Sequence, residues 1–249
     1  MEKLKIVILE SPYDNWSNPL VGNFLKDLMG LKLRGYSHEY PYGVLPVDGA
    51  DLFSTHLALC REEKNGQLTP IMAMRWTSLK KSRQHHMNFP GMSLLFQAGA
   101  TEHMTALEKI IAEVDEKNLD LMYTACLTIE PKERSSKERS AFLRELLTTM
   151  FVCQQQELGV ELLAGGTCRF KIEKWLTASG WNSLKAEDDR ALESINVKHL
   201  AGELVHVMHL QEYSFEAQRI ARKWQYLWDE RLIIDGTAPA EIRPFEKTA

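Results

Sequence analysis

The sequence holds little that would staple a fold or carry it through a membrane. Only four cysteines occur in 249 residues, Cys60, Cys126, Cys153 and Cys168, and none pair with CxxC spacing. That excludes finger-type metal sites and dithiol redox motifs, and it predicts a reducing compartment, the cytoplasm. Cys60, Cys126 and Cys153 stand among apolar neighbours and are expected to be reduced core thiols. No apolar run approaches the ~18 residues of a spanning helix. The opening MEKLKIVILESPYD has too short an apolar stretch for a secretory leader. Positive charge is not in excess: the formal net charge is −4, so nothing global argues for nucleic acid. The chain also lacks a GxGxxG fingerprint, a P-loop, a Ser-His-Asp order, an internal repeat and a low-complexity linker.

What is present is an ordinary apolar share, 44%, enough to bury a core. Lys5 to Leu9 is β-branched and apolar and reads as a strand. Asn18-Pro19 reads as an N-cap with proline in the first turn, and Leu20, Phe24, Leu28 and Leu31 recur at helical spacing; Gly35 is the expected stop. A long loop is expected from Tyr36 to Asp51. Leu57–Cys60 and Ile71–Trp76 read as a hairpin whose connection contains Asn65-Gly66. Thr105 and Glu108 form a capping box opening a helix. Leu119 to Ile129 and Leu204 to Leu210 read as strands, and Ser214 caps a late helix. The layout predicts one α/β domain over 1–235, helices on a central mixed, mostly antiparallel sheet, with a loose tail over 236–249.

The densest stretch is Leu127 to Trp181. A strand, LTI at 127–129, meets a cation-rich turn, EPKERSSKERS at 130–140. A helix follows over 141–159, then a strand at 160–164, then a helix at 170–181 closed by Gly180-Trp181. A turn opening onto a helix N-terminus is suited to phosphate. This order resembles the acyl-donor half of the GNAT acyltransferases. The resemblance implies that Leu127, Thr128, Ile129, Arg134, Ser135, Ser136, Lys137, Glu138, Arg139 and Ser140 line the donor, coenzyme A or an acyl-phosphopantetheine thioester. Lys137 and Arg139 stand where that family has glycines. Leu176 stands four residues before Gly180, where many members have a tyrosine that protonates the departing thiolate.

Upstream, Asp48-x-x-Asp51, the hairpin ending in Arg75, and Phe89-Pro90 resemble the bacterial autoinducer synthases and the related N-acyl amino acid synthases, which share the GNAT fold. The resemblance implies an acceptor site of Asp48, Asp51, Arg75, Phe89 and Tyr123. The autoinducer synthases carry a Glu-x-x-Arg pair where this chain has Tyr123-Thr124-Ala125-Cys126. The expected acceptor is therefore amino-acid-like rather than S-adenosylmethionine. Glu130, at the end of the strand, is the candidate base. Met72, Met74, Met122, Met150 and Phe151 are candidates to line an acyl tunnel.

The expected activity is transfer of an acyl group from a thioester to a small-molecule amine. An acyl carrier protein is a further candidate partner, and plain acetyl transfer or a non-catalytic thioester-binding member are the alternatives. No metal, nucleic acid or membrane span is expected. His206 and His209 lie three apart on a strand and point to opposite faces, which disfavours a shared metal. Lys80-Lys81-Ser82-Arg83 reads as a solvated face. Trp175, Trp181, Trp224 and Trp228 read as core aromatics.

Overall fold

The first apolar run forms β1 (Leu4–Leu9), with Val7 and Leu9 fully buried. The computed structural model describes residues 2–40 and 43–236. Asn18 caps α1 (Pro19–Glu39) by accepting from the Leu20 amide at 3.0 Å. The helix runs past Gly35, the expected stop. A Cβ at that position would lie 2.3 Å from Thr128 Cγ2, so Gly35 is a packing glycine rather than a cap. A 3-10 turn, Gly49–Leu52, precedes β2 (Thr55–Glu62) and β3 (Leu68–Ser78). These strands extend the expected hairpin at both ends, and Gly66 takes φ 83 in its turn.

Three helices follow: α2 (Leu79–Gln84), α3 (Pro90–Ala98) and α4 (Thr101–Glu116). Sequence reading found only the last and started it at Thr105, one turn late. Gly99, left-handed at φ 66, separates α3 from α4. Next come β4 (Leu121–Ile129), a 3-10 turn at Pro131–Arg134, α5 (Lys137–Leu158) and β5 (Glu161–Thr167). The chain then forms α6 (Ile172–Ala178), β6 (Asn182–Ser183), β7 (Ile195–Val197), β8 (Glu203–Leu210), α7 (Phe215–Asp229) and β9 (Leu232–Ile234).

The result is an α/β fold with a mixed, mostly antiparallel nine-stranded sheet ordered β6-β8-β5-β4-β3-β2-β1-β9, β7 pairing with β8. The parallel pairs are β1–β9 and β4–β5, the latter in register from Leu121↔Glu161 to Thr124↔Ala164. Sequence reading missed β9, a three-residue strand whose Ile234 is buried. Of the tail expected to be loose over 236–249, residues 237–249 lie outside the described residues.

The chain divides into two compact units. Of the described residues, the first comprises 2–40, 43–76, 126–144 and 224–236; its core packs Leu20, Phe24, Leu28 and Leu31 of α1 on Val7, Leu9, Ala58 and Ala73. The second comprises 77–125 and 145–223; its core joins Leu95, Leu107 and Val114 to Leu121, Leu163, Val205 and Val207. Among the described residues, no helix is long and apolar enough to cross a membrane.

Candidate active site

The first unit contains a cluster of buried ionisable residues from four elements. Asp48 caps the 3-10 turn by accepting from the Ala50 amide at 2.9 Å, while the Asp48 amide donates to Asp51 Oδ2 at 3.0 Å. This reciprocal capping box fixes both carboxylates relative to each other. Arg75, on β3, donates end-on to Asp48 through Nη1 (2.6 Å) and Nη2 (3.2 Å), and its Nη1 also lies 3.2 Å from Asp51 Oδ1. Lys32, on the buried face of α1, pairs with the same Asp51 oxygen. His56, directly opposite Arg75 in the β2–β3 register, hydrogen-bonds the Asp51 carbonyl through Nε2 at 2.7 Å.

Only Asp48 opens to solvent, its side chain 59% exposed against 3% for Arg75. Burial alone would raise the Asp51 carboxyl, but Lys32, Arg75 and His56 together hold it below the usual carboxylate range. Burial, reinforced by Lys32, pushes His56 down to about 4, so the ring is neutral at pH 7. Burial works against the Arg75 charge, and Cys126, Asp51 and Asp48 outweigh it and raise its pKa.

The structure thus brings Asp48, Asp51 and Arg75 together, and it adds Lys32 and His56, which sequence reading missed. Lys32 carried a signal: a charge four residues after Leu28, on the apolar face of α1. Cys126 is not the core thiol it was read to be. It is half-buried on β4 with φ 56, left-handed, and its Sγ lies 3.9 Å from the Pro46 carbonyl oxygen. Cys60 and Cys153 are buried, as expected.

Phe89 and Tyr123 belong to the second unit, where their rings meet edge-on at 6.3 Å within the core. Gly91 lets them approach, since a Cβ there would lie 2.5 Å from Leu163 and 3.3 Å from Tyr123. Met72 and Met74 of the first unit, and Met122, Met150 and Phe151 of the second, are buried; Phe151 packs edge-on against Trp175 and Trp181.

The end of β4 presents the second part of the site. Thr128 is buried toward Gly35, and its hydroxyl donates to the Cys126 carbonyl at 3.1 Å, so it faces α1. Leu127 and Ile129 are half-buried. Glu130 donates its amide to the Ile71 carbonyl and is ion-paired with Arg34 at 2.9 Å. Arg134 folds back to donate to the Ile129 carbonyl at 2.7 and 3.2 Å and pairs with Glu39, which shapes the turn.

Ser136 starts α5, its hydroxyl accepting from the Arg139 amide at 3.0 Å. Glu138 is held below the usual carboxylate range by its own amide and the Ser136 hydroxyl. A depression of about 450 Å³ opens at this helix end, lined by Arg134, Ser135, Ser136, Lys137, Ser140, Ala141 and Arg144. Arg139 is not in that lining. Its guanidinium is held by Glu133 and Glu2, a network that also engages Arg61. Arg144, one turn further along α5, lies where sequence reading assigned no donor contact.

Two other polar groupings lie in the second unit. His206 Nε2 contacts Ser183 Oγ at 2.6 Å and its Nδ1 contacts Ser194 Oγ at 3.2 Å. His209 contacts Glu161 at 2.7 Å; burial lowers its pKa against the raising effect of that carboxylate. Among the described residues, no group of three or more His, Cys, Asp or Glu side chains is placed to hold a metal ion.

No protein-family model and no curated protein sequence matches this chain. Solved structures do. The chain is similar to FeeM, an N-acyl amino acid synthase from uncultured soil microbes, at 12% identity and a TM-score of 0.51, over 91% of this chain and 98% of that one. It is similar to BjaI, a coenzyme A-dependent acyl-homoserine lactone synthase solved with SAM and isopentyl-CoA, at 10% identity and a TM-score of 0.53, over 96% and 97% of the two chains. The chain therefore has a GNAT-like α/β fold. At these identities the likeness is one of fold.

Proposed function

We propose that this chain is an N-acyltransferase that moves an acyl group from a thioester of coenzyme A or acyl carrier protein to the amine of a small, amino-acid-like acceptor. One observation carries the reading: β4 leads into a helix whose first turns open a cationic depression of about 450 Å³ lined with hydroxyls. Helix N-terminal amides, Lys137 and Arg144 suit the phosphate of a phosphopantetheine arm. In this reading the thioester lies along β4, whose backbone amides polarise its carbonyl. The neutral amine attacks the carbonyl carbon, the C–S bond breaks, and the thiolate takes the proton that the nitrogen sheds.

Asp48 is the carboxylate that receives the incoming ammonium. Arg75 is buried behind it, so its role is to hold Asp48 and not to bind an acceptor carboxylate. Glu130 keeps the role of base, acting with Arg34 as its charge partner. Leu176, buried in α6, supplies no acid to the leaving thiolate.

The test is calorimetry with coenzyme A and an acyl carrier protein, followed by transfer assays from C2 to C16 thioesters to free amino acids and S-adenosylmethionine. Amide products with amino acids support the reading. A preference for acetyl thioesters would make it a plain acetyltransferase, and a homoserine lactone product would restore S-adenosylmethionine as acceptor. Donor binding without any transfer would leave a non-catalytic thioester-binding protein. Removing both Lys137 and Arg144 side chains is expected to weaken donor binding about tenfold or more, with salt dependence, since charge-assisted contacts contribute about 1.5–3 kcal/mol each. Unchanged donor affinity in that double variant would overturn the site.

A further inference from the structure

Two buried polar atoms of this cluster have no hydrogen-bond partner among the described residues: His56 Nδ1 and Arg75 Nε. Their chemistry is complementary. The Asp51 carbonyl can only accept, so His56 Nε2 must carry the proton, and Nδ1 of the neutral ring is a bare acceptor. Arg75 Nε–H is a donor. The two residues are directly opposed in the β2–β3 register, so their side chains leave the sheet on the same face, about 5 Å apart at Cβ. A buried donor and a buried acceptor are each destabilising if left unmet.

The choice matters for Arg75. Its two terminal nitrogens already grip Asp48 end-on. A guanidinium can also present its Nε edge to a carboxylate, and whatever occupies Nε–H decides between the two forks. We propose that His56 is a positioning residue whose Nδ1 accepts from Arg75 Nε–H through one bridging water, locking the end-on fork and so fixing the exposed Asp48 carboxylate. This rests on the reading of Asp48 as the acceptor's carboxylate. One water with one acceptor and one donor neighbour meets the minimum for a buried site. Lys32 contributes from α1 by engaging Asp51 Oδ1, the same oxygen that Arg75 Nη1 approaches at 3.2 Å.

The full chain, labelled with ¹⁵N in arginine and histidine, tests this without any substrate. The Arg75 Nε–H signal, assigned by its loss in Arg75→Lys, should exchange slowly with solvent, and His56 should show the Nε2–H tautomer. The decisive comparison is His56→Asn with His56→Gln. Asn keeps an acceptor near Nδ1 and loses the donor to Asp51; Gln does the reverse. The proposal expects Asn to keep Arg75 Nε–H protected, and Gln to speed its exchange about tenfold, the value of one lost hydrogen bond of about 1.4 kcal/mol. In the transfer assay, Gln should raise the acceptor KM with donor KM unchanged, and Asn should not. The opposite ranking, an Nδ1–H tautomer, or fast exchange in the wild type would overturn the proposal. Absence of transfer by the wild type would instead overturn the acyltransferase reading, and the exchange result would still decide the role of His56.

Discussion

Arg75 shows how far a side chain's role depends on its burial. As an edge charge at the end of a hairpin it would be dispensable for folding. It is instead buried between Asp48 and Asp51. Arg75→Ala is expected to cost about 3–5 kcal/mol, because it breaks the buried Arg75–Asp51 pair and removes the partner of Asp48. Asp48→Asn, at the exposed end, should stay within about 1 kcal/mol of wild type while abolishing transfer. Urea denaturation of the two variants measures the contrast, and equal stability would show that the ion pairs contribute nothing to the fold.

The same cluster sets a pH dependence. His56 titrates near 4 in the folded chain and near 6.5 when unfolded, so between those values the unfolded state binds the extra proton. Its contribution is intact above pH 6.5 and is lost as pH falls toward 4, on the order of 3 kcal/mol in all. Asp51, lowered by its neighbours, continues the loss at more acid pH. Urea midpoints at pH 7, 5.5 and 4.5 should fall in that order for wild type and more shallowly for His56→Gln. The resemblance to the autoinducer synthases groups Asp48, Asp51 and Arg75, and the structure brings these three into contact. His56 was not legible, because a histidine in a strand acquires meaning only when other elements close over it; Lys32 showed only as a charge on the apolar face of α1, with no sign of its partner Asp51.

Among the elements, α1 and β4 define each other through one missing methyl group. Gly35 exists because Thr128 Cγ2 occupies the space of its Cβ. Gly35→Ala is expected to destabilise by about 1–3 kcal/mol despite alanine's better helix propensity, since overpacking outweighs that gain. Thr128→Ser removes the clashing methyl, and the double variant should recover most of the loss. Additive losses would show that the clash relaxes elsewhere. This contact explains why the helix end was misread: glycine marks a stop only if its backbone turns left-handed there, and Gly35 stays helical. By contrast α5, β8 and α7 were legible because their apolar periodicity is long, although α5 starts at Lys137, a turn before the expected 141; Ser214 accepts from the Ala217 amide as expected. Helices α2 and α3 were missed because each is too short to show a period. Arg139 was placed by sequence adjacency to the phosphate turn, but Glu133 and Glu2, one of them far away in sequence, draw it aside. Arg139→Ala should therefore leave coenzyme A affinity unchanged in calorimetry and lower stability by about 1–2 kcal/mol, as for a lost charged hydrogen bond.

At the scale of the whole chain, the last described strand lies beside the first. β9 pairs in parallel with β1 over three residues, the Glu10 amide donates to the Ile234 carbonyl, and Asn18, the cap of α1, donates its side-chain amide to the Asp235 carbonyl. Three residues are too few to signal a strand in sequence, and their partner lies at the far end of the chain. A chain ending at Arg231 should expose the β1 edge and self-associate, whereas one ending at Gly236 should not; sedimentation velocity distinguishes them. Equal behaviour would show that the edge is protected without β9.

This closure has a consequence for synthesis. During translation β1 emerges more than two hundred residues before β9, so the β1 edge waits unpaired while everything between them is made. Nascent chains arrested before Leu232 should thus be the species that chaperones hold, and release should coincide with the arrival of a three-residue strand.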